Sequence, residues 1–105
     1  MFDAYQVQRA LRGHLAEGDA LETLARDDAT GVFWVLTGRE LILVEDLQVA
    51  GRIARDTLAG EVEVTDVGIT VRVRGADTRT PLLGTFRKPG RFTNALAEAL
   101  EGGAR

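Results

Sequence analysis

The sequence predicts one small α+β domain, mainly antiparallel β, in which a helix opens the chain, seven short strands follow and a helix closes it. Three observations predict this. Apolar side chains recur at helical spacing near both ends of the chain. Between them, short runs of β-forming residues alternate with turn clusters rich in Gly, Asp and Thr. A chain of 105 residues also has room for only one domain, at ~100–200 residues per domain.

The first helix starts at a strong signal. Asp3 can cap it, and Gln6 three residues on completes a capping box, so two orphan N–H groups find acceptors. Phe2 and Val7 stand where a hydrophobic staple would form. Ala4, Val7, Leu11 and Leu15 make an apolar stripe about one residue wide, the mark of a helix that lies on a surface. Gly18 can end the segment in a left-handed conformation. Residues 1–18 are therefore expected as a helical appendage and residues 19–102 as the main body.

Short strands then take over. Leu21 to Ala25 alternates weakly, and Asp27-Asp28-Ala29-Thr30-Gly31 is a turn cluster. Val32-Phe33-Trp34-Val35-Leu36 and Leu41-Ile42-Leu43-Val44 are continuous apolar runs, separated by Thr37-Gly38-Arg39-Glu40 and ended by Glu45-Asp46. Runs apolar on both faces must be covered on both faces. If Val32, Trp34 and Leu36 face the core, then Phe33, Val35, Ile42 and Val44 face outward. Gln48 to Leu58 is less regular; Val49 and Ile53 suit a short or edge strand, and Gly51 a bulge.

The clearest hairpin follows. Val62 and Val64 alternate with Glu61 and Glu63, while Ile69, Val71 and Val73 alternate with Arg72 and Arg74. A turn about Val67-Gly68 pairs Val64 with Val71 and Val62 with Val73, and sets Glu63 opposite Arg72 and Glu61 opposite Arg74. Thr80 to Phe86 reads as a further strand, with Pro81 marking its start or an edge. In the last element Phe92, Ala95, Leu96, Ala99 and Leu100 form the broad stripe of a docked helix, from about Arg91 to Glu101. Pro89-Gly90 precedes it and Gly102-Gly103 should stop it. Seven short strands with one docked helix are best closed by curling the sheet into a bent barrel.

Composition narrows the function by exclusion. The chain has no cysteine and no serine, and its one histidine is His14. Disulfides, thiolate and serine nucleophiles, zinc-finger ligand sets and a His-centred triad within one chain are all out of reach. The formal net charge of −3 argues against nucleic acid as a partner. Charge is uneven, with six basic and thirteen acidic residues over 1–66, then six basic and one acidic over 67–91. Cross-strand pairing is the plainer reading of that basic segment. No apolar run reaches the ~18 residues of a membrane helix, and the first residues carry no secretory pattern. Lack of cysteine suits a reducing compartment, so the expected location is cytoplasmic.

The element order, with Val35-Leu36-Thr37-Gly38-Arg39-Glu40-Leu41-Ile42-Leu43-Val44, resembles the bacterial pleckstrin-homology-like domain. In that family a strand ending in Leu-Thr leads into a polar turn containing arginine and then a run of aliphatics. Leu15-Ala16-Glu17-Gly18-Asp19 is similar to the segment that precedes it, and the terminal helix to the family's barrel plug. Arg39-Glu40 replaces the commoner doubled basic turn. The resemblance covers roughly residues 15–100. It implies a seven-stranded bent antiparallel barrel with a C-terminal capping helix; the N-terminal helix is an addition.

It also implies where a ligand would sit, since pleckstrin-type domains hold phosphoinositide head groups with basic residues around the first strand-to-strand loop. Here that loop is Asp27-Asp28-Ala29-Thr30, which would repel phosphate. Arg79, Arg87, Lys88 and Arg91 remain as an alternative anion or acidic-lipid site leading into a helix N-terminus. Asp27-Asp28 and Glu45-Asp46 read as turn residues rather than catalytic pairs, and His14 lies off the apolar stripe. No catalytic residue, metal or cofactor is expected. The expectation is a non-enzymatic module for protein contact or self-assembly. Its surface is Phe33, Val35, Ile42 and Val44, covered in part by Val7 and Leu11 and otherwise open to a protein partner or a second copy, as a homodimer or larger. A membrane is not the expected partner.

Overall fold

The computed structural model describes residues 3–66, 68–75 and 81–103. Helix α1 (Ala4–Leu11) opens on the expected capping box: the Asp3 carboxylate accepts from the Gln6 N–H, and the Gln6 side chain accepts from the Asp3 N–H. It ends sooner than the stripe suggested, and Leu15 follows in a turn, half-buried. Phe2, the other half of the staple, lies outside the described residues.

Strands β1 (Leu21–Arg26), β2 (Phe33–Thr37), β3 (Glu40–Glu45) and β4 (Gln48–Ala54) form one antiparallel sheet in that order. A 3-10 turn (Arg55–Thr57) leads to a second sheet of β5 (Ala59–Thr65), β6 (Gly68–Arg74) and β7 (Leu82–Phe86), also antiparallel and in chain order. Helix α2 (Arg91–Gly103) packs against β5, β1 and the 3-10 turn, and runs through the glycines expected to end it. The curled sheet thus takes the form of two packed sheets with a helix at one end.

Alternation along β2 and β3 divides the apolar residues between two cores, as the sequence pattern required. Trp34, Leu36 and Leu41 face the first core with Ile69, Val71, Val73, Phe86 and the α2 stripe of Phe92, Leu96 and Leu100. Trp34 meets the edge of Phe86 at 5.7 Å between ring centroids, and Phe86 meets Phe92 at 5.4 Å. Phe33, Val35, Ile42 and Val44 face the other way.

Two local readings change. β4 is a full seven-residue edge strand, and its extra residue, Ala50, falls beside the glycine expected to carry the bulge: Leu43 pairs with Gly51 and Val44 with Val49. The β5–β6 ladder is two residues tighter than the expected register. Val62 pairs with Val71 and Val64 with Ile69, so only residues 66 and 67 lie between the paired Thr65 and Gly68. The shift is even, so every side chain keeps its face while its cross-strand partner changes.

Candidate functional site

The expected interaction surface is a second core. Val7 and Leu11 of α1 lie across Phe33, Val35, Ile42 and Val44, and all six are buried; Phe33, the most accessible, is 8% exposed. Leu15, Leu21, Leu24, Leu47 and Val49 pack around them. The cover expected to be partial is therefore complete within one chain, because strands β1 and β4 and the β3–β4 turn add side chains that the α1 stripe lacked. Arg52 clamps the arrangement, pairing with Glu40 at 3.0 Å and donating to the His14 carbonyl just beyond α1. While α1 stays docked, these residues offer no surface to a partner.

The turn Asp27–Thr30 is not a pair of free carboxylates. Asp27 is 2% exposed, and its Oδ1 accepts from the Ala29 N–H at 2.9 Å and the Thr85 N–H at 3.1 Å, while Oδ2 accepts from the Thr30 hydroxyl. The Asp28 carboxylate accepts from the Arg87 N–H at 2.7 Å, and the Asp28 N–H donates to the Thr85 carbonyl at 2.8 Å. Two adjacent aspartates thus close the seam between β1 and β7. The sequence signalled their turn chemistry but not the strand they reach.

A second polar knot holds the Leu-Thr-Gly-Arg-Glu motif. The Thr37 hydroxyl, fully buried, donates to Asp19 at 2.7 Å and accepts from the Arg39 and Glu40 N–H groups. Asp19 also accepts from the Ala20 and Gly38 N–H groups. Burial alone would push the Asp19 carboxyl up. The Thr37 hydroxyl, the two amides and the Arg39 charge outweigh it and hold the group below its ordinary value. Arg55 finishes the knot by donating to the Thr37 carbonyl and pairing with Glu22.

The alternative anion site is split. Arg79 lies outside the described residues. The Arg87 guanidinium stands 3.9 Å from Asp28, whose carboxylate holds the Arg87 amide, so an incoming anion there meets a fixed acid. Lys88 and Arg91 are exposed at the start of α2. Among the described residues, no group of three or more His, Asp or Glu could hold a metal ion.

Two features escaped the sequence reading. Val64, expected to face inward, is 78% exposed on the edge strand, although its cross-strand partner Ile69 is buried in the first core. Among the described residues, no backbone hydrogen bond reaches β5 from any strand except β6, so its outer edge is unpaired, with α2 lying beside residues 60–62. The true register also changes the expected charge pairing: Arg72 stands opposite Glu61 and Arg74 opposite Ala59, and among the described residues neither arginine makes an ion pair. The hairpin's length carried this signal, since moving the turn by one residue displaces each cross-strand partner by two.

Seven strands in sheets of four and three, a seam at β1–β7 and a helix against the open end match solved structures over the whole chain. A DUF1696-family protein with a pleckstrin-homology domain from Shewanella loihica is similar with a TM-score of 0.71, at 15% identity over 99% of this chain and 95% of that one. A pleckstrin homology domain from Shewanella amazonensis is similar with a TM-score of 0.61, at 13% identity over 98% and 100%. The chain has the pleckstrin-homology fold. No protein-family model matches it, and neither does any curated protein. Within that fold, the first strand-to-strand loop, where the resemblance placed a head group, is the aspartate seam. No helix among the described residues is long and apolar enough to cross a membrane.

Proposed function

We propose that the chain is a non-catalytic module of the pleckstrin-homology fold that associates with protein, a second copy first among them, by adding a strand to the unpaired edge of β5. The observation that carries this reading is that edge: a strand paired on one side only, presenting a valine 78% exposed. An edge strand offers a row of unsatisfied N–H and C=O groups that another chain can pair with. A two-fold pairing of β5 with its copy is self-complementary and closes as a dimer. The fold supports the non-catalytic part, since both solved neighbours are described by a pleckstrin-homology domain.

The reading moves association away from Phe33, Val35, Ile42 and Val44, which α1 occupies. It also sets aside acidic-lipid binding through Arg87, Lys88 and Arg91, where Asp28 competes. Sedimentation velocity across a concentration series tests it. Wild type should associate, and Val64→Lys should stay monomeric with its circular dichroism unchanged, because the side chain contributes little to the core. Association undiminished in Val64→Lys would overturn the reading.

A further inference from the structure

We propose that the groove beside Arg72 and Arg74 on the outer face of the β5–β6 hairpin binds a phosphomonoester dianion. The two arginines are two residues apart on β6, so both project from one face, about 6.5–7 Å apart along the strand. Both are exposed, and among the described residues no acid pairs with either within 4 Å. Three other arginines differ: Arg52 and Arg55 are held in ion pairs, and Arg39 faces Asp19.

The arginines border a concave space of about 420 Å³, walled by Ala59, Gly60 and Pro81. That volume falls at the small end of ligand sites. Gly60 is fixed as a bare wall: its φ is +151°, and a Cβ there would meet the Arg72 carbonyl oxygen at 2.0 Å. Pro81 contributes no N–H. The cationic side chains that border this space are Arg72 and Arg74.

Charge and shape select the ligand. Each guanidinium presents planar donors that match phosphate oxygens, and two of them balance a dianion. Glu61, the cross-strand neighbour of Arg72, lines one side of the space, and Glu63 follows on the same outer face of β5. These acids repel an extended polyanion or an acidic bilayer laid flat on the sheet, but leave room for one compact group between the arginines. A free phosphate and a phosphorylated side chain share that chemistry.

The test titrates the full ¹⁵N-labelled chain at constant ionic strength with inorganic phosphate, a short phosphoserine peptide, acetate, and phosphatidylserine vesicles. Phosphate and the peptide should shift the amides of Gly60, Arg72 and Arg74, acetate should not, and peptide affinity should rise as the ester becomes a dianion above about pH 6. Arg72→Gln and Arg74→Gln should each weaken binding tenfold or more, while Lys88→Gln leaves it unchanged. Tighter binding of the peptide than of inorganic phosphate would assign a phosphorylated side chain as the source; equal binding would assign the free anion. Binding unaltered in Arg74→Gln, shifts confined to residues 87–91, or retention on vesicles without any response to phosphate would overturn the proposal.

Discussion

Replacing Asp27 with alanine probes the seam that holds the two sheets together. The substitution removes the acceptor for two backbone N–H groups and one hydroxyl, all within 2.9–3.1 Å of a carboxylate that is 2% exposed. Hydrogen bonds to a charged group contribute about 1.5–3 kcal/mol each, and a buried donor left without a partner costs about 1–3 kcal/mol. These terms overlap, and water can reach the exposed Ala29 amide, so about 3–4 kcal/mol is expected in all. That is a large part of the ~5–15 kcal/mol available to a small domain. It corresponds to a fall in Tm of roughly 15–25 °C. Asp27→Asn keeps one acceptor oxygen and should lose only about 1–2 kcal/mol. Urea unfolding followed by Trp34 emission is the assay, since Trp34 touches Phe86 on β7. The exposed Asp56→Ala serves as control, with a change within about 0.5 kcal/mol. An Asp27→Ala loss no larger than the control's would refute the reasoning.

Other consequences can be checked on the same chain. The Asp19 carboxyl is held below its ordinary value of about 3.9, so its contribution to stability is present above that pH and is lost as pH falls through the lowered native value. The urea-midpoint advantage of wild type over Asp19→Asn should therefore shrink below about pH 4; an advantage that grows with acid would contradict the assignment. Val35→Asp puts a carboxylate without a partner into the second core, at a cost of several kcal/mol, roughly 3 or more. Circular dichroism should show an unfolded chain, and a folded monomer would mean that α1 does not seal that face. Gly84→Ala places a Cβ 2.8 Å from the Trp34 ring, so about 1–3 kcal/mol of stability should be lost with a shift in Trp34 emission. Unchanged emission and midpoint would show slack in the first core.

How much could be read beforehand follows from the range of each interaction. The Asp3–Gln6 capping box, the α2 stripe and the division of β2 and β3 into inner and outer sets are local or periodic, and all were legible. Features that depend on distant partners were not. Val7 and Leu11 pointed to a partial cover, and only the docking of residues such as Leu47 makes it complete. Leu47 gives no sequence sign of this: it sits at φ +63°, beside Asp46 at +52°, in a tight turn that turns an aliphatic side chain under α1. Asp27 and Asp28 looked like local turn residues because their bonds to Thr85 and Arg87 span more than fifty positions. The β5–β6 register shows the converse. Alternation fixes which face each valine takes but says nothing of which arginine meets which glutamate, and the placing of Arg74 opposite Ala59 follows from that two-residue difference.

Amide hydrogen exchange along β5, measured below and above the concentration at which the chain associates, tests the central claim most directly. The account predicts that the amides of β5 directed away from β6 exchange fast in the dilute protein and become protected on association, while those of β2 and β3 under α1 stay protected throughout. Protection that appears on β2 and β3 instead, with the β5 edge still exchanging freely in the associated state, would contradict it.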